Sequence, residues 1–318
     1  MDYVDLHLHL GSSSTPHFLW ELAHEQGIKL PKKDYFSFIE SITIKEKTTY
    51  DKYLSFFDIT ELVQSSTYAV EKATHEAISR AYRKGNVRTI EVRFNPMLRN
   101  KGGQQDLDKI IFAATVGMKK ACLEYPVKAG IILMMDRRFP KEKNLVVAEK
   151  AVKFAQEGVV GLDVAGPLHT GFRVTDLVEP VRIAREAGLG ITIHTGEVTP
   201  AEEVWNVVNV LSPNRIGHGI RSTEDPALLD QLANRGIVLE VCPTSNIQTQ
   251  AASDWEDIHR IITAFKSAGV SFTINSDGPE LLATSVKEEF EKLVEKQILT
   301  TDDVISCTKT AEKATFIK

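Results

Sequence analysis

The stretch VVGLDVAGPLHTGFRVTDLVEPVRIAREAGLGITIH (159–194) decides the architecture. It opens on an apolar β-rich run, VVGLDVA (159–165), and passes into an amphipathic segment, VTDLVEPVRIAREAG (174–188). That segment ends in glycine where a helix C-cap falls, and a second β-rich run, LGITIH (189–194), follows at once. A strand, a helix and a strand joined by short connections predict two parallel neighbours in one sheet.

The same unit repeats in both directions. Candidate strands are YVDLHLH at the start, VRTIEVRF (87–94), KAGIILMM (128–135), RIGH (215–218), GIVLEVC (236–242) and VSFTINS (270–276), with helical segments such as LVVAEKAVKFAQEG and DWEDIHRIITAFKSAG between them. Eight such units predict an α/β fold, a (β/α)₈ TIM barrel. A doubly wound open sheet is the competing architecture, but no GxGxxG follows a strand, which argues against a dinucleotide site. The segment from about residue 11 to 85 is too long for one crossover and predicts a helical insertion between strands 1 and 2. It carries Phe18, Trp20, Phe36, Phe38, Phe56 and Phe57, most of them expected in helix packing, on an element placed to roof the top of a barrel. One domain over residues 1–318 is expected.

Bulk properties narrow the class. The 318 residues are 42% hydrophobic and 25% charged, with a net charge of -5, so no basic stripe suggests nucleic acid. No apolar run approaches a membrane span, and MDYVDLHLHL lacks the basic start and apolar core of a signal peptide. Cys122, Cys242 and Cys307 are unclustered, as expected in a reducing, cytoplasmic setting.

Chemistry gathers at the ends of the candidate strands, where barrels place their active sites. The first strand ends in His7 and His9, one residue apart and so on one face. The fifth ends in HTGE, with His194 and Glu197; the sixth in RIGHG, with His218; the eighth in INSDGP, with Asp277. A lone buried histidine is usually a hydrogen-bonded core residue. Four at strand mouths with a carboxylate at the eighth predict a divalent-metal site, because neutral imidazole and carboxylate are ordinary Zn²⁺ ligands. Strands 1, 5 and 8 can converge above a barrel, so His7, His9, His194 and Asp277 are the candidate ligands. Zinc brings the pKa of a bound water to about 7. Glu197 is placed as a general acid and His218 to face that water, which makes the expected site a hydrolase site.

HLHL, HTGE, RIGHG, LEVCPTSN and NSDGP, in this order and spacing, resemble the adenosine/AMP deaminase family of the amidohydrolase superfamily, and IEVRFNPML and FFD are similar too. The resemblance runs from residue 2 to about 285. It implies one Zn²⁺ per chain on His7, His9, His194 and Asp277, and a small purine-like substrate with no nucleic acid or membrane partner. It also implies hydrolysis of the C–N bond of a cyclic amidine, with ammonia released. Glu197 would protonate purine N1 while zinc-activated water attacks C6, and His218 would orient and help deprotonate that water. The backbone N–H of Gly166 would meet purine N3.

The chain departs from the family where substrate is read. The family usually has His-x-His-Leu-Asp-Gly, with the Asp on the ribose; here Gly11 and Ser12 follow Leu10. A second Asp usually follows the metal-binding one and holds purine N7; here Gly278 stands there. A polar pair after the AG turn is replaced by Pro167 and Leu168. Two lost carboxylate contacts predict a poor fit for plain adenosine and free space at Gly278 beside the exocyclic nitrogen; if adenosine is the best substrate instead, Ser12, Ser13 or the aromatics of the insertion must replace the lost contacts. Other readings are a different metallo-hydrolase of the superfamily and a non-catalytic nucleoside-binding relative. Binuclear members commonly use a carboxylated Lys at strand 4, which GLDVAGP lacks.

Overall fold

The computed structural model describes residues 1–44, 46–100, 105–167 and 169–318. Eight parallel strands pair in sequence order: β1 (Tyr3–His9), β2 (Val87–Phe94), β3 (Lys128–Asp136), β4 (Val159–Ala165), β5 (Gly190–Thr195), β6 (Arg215–His218), β7 (Val238–Val241) and β8 (Phe272–Ile274). The sheet closes on itself just beyond β8. His9 N donates to Asp277 O at 2.9 Å, and Asp277 N donates to His7 O at 2.8 Å. Leu6 N adds a bond to Asn275 Oδ1 at 3.0 Å. The fold is therefore a (β/α)₈ barrel and not an open sheet. β7 and β8 are shorter than the apolar runs 236–242 and 270–276 suggest. Pro243 begins a helix directly after Cys242, and the backbone turns left-handed at Asp277, with φ 59°.

Four helices lie between β1 and β2: α1 (Pro16–Glu25), α2 (Tyr35–Ser41), α3 (Tyr50–Val63) and α4 (Thr67–Gly85). Residues 50–85 form two helices rather than one because Ser66 has extended backbone and caps the second, accepting from Ala69 N at 3.1 Å. The rest are α5 (Leu107–Glu124), α6 (Lys141–Lys153), α7 (Val178–Glu186), α8 (Ala201–Leu211), α9 (Pro226–Arg235), α10 (Pro243–Gln248), α11 (Trp255–Ser267), α12 (Val286–Glu295) and α13 (Thr301–Ala314). α4 packs on β2 and α5 as an ordinary crossover helix, so α1–α3 form the extra layer. Tyr53 of α3 packs against Leu281 and Leu282, just after the β8 turn. Among the described residues, no helix is long and apolar enough to cross a membrane.

The outward faces of the strands are apolar and meet the helices, but the interior of the barrel holds charges. Glu91, Arg93, Asp163, Arg215 and Glu240 are all buried. At the floor, Arg215 bonds Glu240 Oε1 at 2.6 Å, pairs with Glu91, and donates to Ala314 O at 2.7 Å. Its guanidinium lies 3.6 Å from the centroid of the Phe316 ring, a cation–π contact that seats the chain's end under the barrel. Glycine is required above that ring: a Cβ on Gly190 would lie 2.2 Å from it, and one on Gly161 2.7 Å. Gly190→Ala should therefore cost about 1–3 kcal/mol by overpacking, and Phe316→Ala in the same chain should return part of the loss. Denaturant unfolding of the single and double variants reads this; a fully stable Gly190→Ala chain would contradict the seating of Phe316.

Candidate active site

The period of two along β1 turns His7 and His9 to the same, inner face, and the ends of β5, β6 and β8 bring His194, His218 and Asp277 to that mouth. His9 Nε2 lies 3.3 Å from His7 Nε2, 3.2 Å from His194 Nε2 and 3.4 Å from Asp277 Oδ1. His7 Nδ1 is held by Glu240 Oε2 at 2.6 Å, and His194 Nδ1 by Asp163 Oδ1 at 3.0 Å. Those carboxylates accept hydrogen bonds from Nδ1–H, so Nε2 of both rings turns a lone pair toward the centre. Burial holds the imidazoles well below their usual pKa of 6.5, which keeps them neutral. One N–H on His9 cannot satisfy three acceptors. Four donors around a tetrahedral Zn²⁺ sit about 3.3 Å apart; His7, His9 and His194 form one group of close donor atoms and His7, His218 and Asp277 a second that shares His7, so the chemistry of this cluster fits a small divalent cation.

The two carboxylates are pinned by arginine. Arg93 donates to Asp163 Oδ2 at 2.8 Å and to Glu240 Oε2 at 2.9 Å. Burial raises the pKa of Glu240, but Arg93 and Arg215 overcome it and hold the group at about 2. Arg93, Asp163 and Glu240 carry no expected role from the sequence. Their signal is a charged residue inside an apolar strand run, in EVRF, LDV and LEV.

Glu197 and His218 stand beside the cluster. His218 Nε2 lies 3.6 Å from Glu197 Oε2, and its Nδ1 is 3.0 Å from Asn246 Nδ2. Thr249 donates to Glu197 Oε1 at 3.2 Å. Burial, then the negative charge of Asp277, pushes the pKa of Glu197 up to about 8, so the acid is protonated at neutral pH. His218 and Asp277 both adopt left-handed backbone, with φ 62° and 59°. Non-glycine residues carry strain there, and such strain collects at functional sites.

A cavity of about 290 Å³ opens over the cluster. His9, His194, His218, Asp277, Glu197 and Gly166 line it, with Tyr50, Tyr53 and Phe57 from α3 as its roof. Gly166 has φ 98°, and a Cβ there would lie 2.8 Å from the Asp136 carboxylate, so this close turn needs glycine. Of the six aromatics singled out in the insertion, only Phe57 lines the cavity; Phe18, Trp20 and Phe38 pack together, and Phe36 is exposed. Tyr50 and Tyr53 are additions that only the fold reveals. Leu168 lies outside the described residues.

Gly278 does not leave the free space expected of it, and the place beside Gly11 is occupied as well. The position of a Cβ on Gly278 is 3.0 Å from Ser12 Oγ and 3.4 Å from the Tyr53 hydroxyl. The corresponding point on Gly11 is 2.8 Å from the Phe57 ring and 3.3 Å from Arg99 Nη2. Side chains from the insertion and from the loop after β2 fill both places, so Gly278→Asp would meet a wall. Ser12 itself is buried, donates to His9 O at 3.2 Å, and stands outside the cavity lining.

The clamp on His194 predicts that Asp163→Asn keeps the fold but weakens divalent-metal affinity by about 10–100-fold. Chelator competition followed by metal analysis measures it, and an unchanged affinity would contradict the assigned role of Asp163.

Comparison with known proteins adds a family. The sequence profile described as adenosine deaminase matches residues 3–318. An adenosine deaminase of Vibrio vulnificus is 33% identical over 299 residues, covering 93% of this chain and 88% of its own. An adenine deaminase of Arthrobacter aurescens superposes with a TM-score of 0.89 at 23% identity, over 99% of this chain and 94% of its own. The N6-mAMP deaminase of Arabidopsis superposes with a TM-score of 0.85 at 24% identity, over 100% of this chain and 93% of its own. At those identities the two structures speak to the fold. The profile match and the Vibrio relative speak to descent, and this chain belongs to the adenosine deaminase family of hydrolytic deaminases, which act on C–N bonds of cyclic amidines.

Proposed function

We propose that the protein removes the exocyclic amino group of an adenine-type ring by hydrolysis, with His7, His9, His194 and Asp277 holding one Zn²⁺. The observation that carries this is the convergence of His7, His9, His194 and Asp277 on His9 Nε2 and Asp277 Oδ1 at the floor of the cavity that Glu197 lines. When bound, zinc supplies the Lewis acidity that brings ionisation of water into the neutral range.

The protein's own groups do the rest. Glu197 donates its proton to the ring nitrogen next to the reacting carbon, which makes that carbon the electron-poor partner of water. His218, neutral and with its ring proton on Nδ1 toward the Asn246 amide, takes at Nε2 the proton that water gives up. The amino group leaves as ammonia with a proton returned to it, and the ring keeps an oxygen in its place. Water adds and ammonia departs, so the reaction needs no redox partner.

The choice among adenine-like substrates rests on the remodelled wall. Positions 11 and 278 offer no carboxylate, and Phe57, Arg99, Ser12 and Tyr53 occupy the space around them. Relatives named for adenosine, adenine and N6-mAMP show how far substrates differ within related barrels. An adenine-like compound altered at its sugar or N6 edge should therefore exceed adenosine in kcat/KM.

Ammonia release over a panel of adenine, adenosine, AMP and N6-methylated counterparts tests the reading. Turnover should fall as pH rises through about 8, because Glu197 then loses the proton it donates. Glu197→Gln should keep the fold and the metal while lowering kcat by about 10²-fold or more. A panel with no ammonia release, or a Glu197→Gln variant of wild-type rate, refutes the proposal.

A further inference from the structure

Tyr53 lines the cavity beside Asp277 and has no part in the steps above. Its hydroxyl lies 3.4 Å from Asp277 Oδ1 and 3.4 Å from the Cβ position of Gly278. The other hydroxyl at that point, Ser12 Oγ, already donates to His9 O at 3.2 Å and stands outside the cavity lining. Tyr53 is therefore the donor that this wall offers to a ligand.

Its proton is loosely engaged. A separation of 3.4 Å exceeds the usual 2.5–3.0 Å of an O–H···O bond. The acceptor, Asp277 Oδ1, is also the atom that faces His9 at 3.4 Å and His7 at 3.9 Å, so it is directed at the candidate metal position. A carboxylate oxygen that faces a cation is a weaker acceptor for a neighbouring hydroxyl. A phenol keeps its proton at neutral pH and can donate it elsewhere.

The connectivity of a purine says where. This step rests on the proposed deamination, in which the reacting carbon C6 lies against the metal cluster. C6 has two ring neighbours: the nitrogen served by Glu197, and the fusion carbon C5. N7 is bonded to C5 and carries an in-plane lone pair on the same side as C6. A hydroxyl tied to Asp277 Oδ1 and lying beside the Cβ position of Gly278 is placed to meet that edge.

We propose that Tyr53 is a substrate-reading residue whose hydroxyl donates to purine N7, filling across space the position where residue 278 has no side chain. It makes the site selective for a ring with an unprotonated nitrogen beside the fusion carbon, and it does so with a neutral group from α3.

Calorimetric titration of the zinc-loaded protein separates this role from simple support of Asp277. The ligands are the deaminated product of the best panel substrate and its 7-deaza counterpart, which has a C–H in place of N7. The wild type should bind the purine about tenfold more tightly than the 7-deaza ligand, the worth of one such hydrogen bond. In Tyr53→Phe that ratio should fall to near one, with zinc content unchanged. A ratio that stays at its wild-type value in Tyr53→Phe overturns the proposal. So does equal weakening of both ligands with loss of zinc, which is the mark of a supporting role. If the wild type deaminates no panel compound, the deaminase reading falls first and this one with it; a wild type that turns over purines but shows no preference for N7 overturns the Tyr53 proposal alone.

Discussion

The carboxylate of Glu240 is the hub of this structure. It accepts from His7 Nδ1 at 2.6 Å, Arg93 Nη2 at 2.9 Å, Thr192 Oγ1 at 2.8 Å and Arg215 Nε at 2.6 Å, deep inside a closed barrel. Those four partners come from β1, β2, β5 and β6, while Glu240 is on β7, so one side chain ties five of the eight strands. An isolated charge there would be expelled, and removing one partner of such a buried pair typically costs about 3–5 kcal/mol. The same carboxylate fixes the ring of His7. Barrel integrity and the direction of a candidate ligand thus depend on one group.

The closing seam links them again. The backbone of His7, His9 and Asp277 makes the hydrogen bonds that join β1 to the turn after β8. A ligand set built from the two ends of the sheet forms only when the barrel closes. The left-handed backbone at Asp277 is held by that closure, which is where a fold can sustain local strain.

Much of this is legible in the sequence because the period of a strand and the ends of strands are local features. YVDLHLH, VRTIEVRF, VVGLDVA and RIGH coincide with β1, β2, β4 and β6. The histidines and carboxylates of the site could be named for the same reason, each at the end of an apolar run. Through-space relations are another matter. Nothing near Gly278 in the chain points to Tyr53, 225 positions earlier, and nothing near Gly11 points to Arg99. The free space expected at Gly278 is therefore absent, because close packing fills a vacated position from whatever element lies over it. Glu240 and Asp163 were visible only as anomalies, charges in strands that a parallel barrel would otherwise make apolar.

The central claim is that this clamped set of imidazoles and one carboxylate binds a single divalent ion. Anomalous diffraction from zinc-loaded crystals, collected on both sides of the zinc absorption edge, tests it most directly. The account predicts one peak per chain, at bonding distance from Nε2 of His7, His9 and His194 and from Oδ1 of Asp277. Two peaks in the cavity, or a peak that leaves out His194 or Asp277, would contradict it.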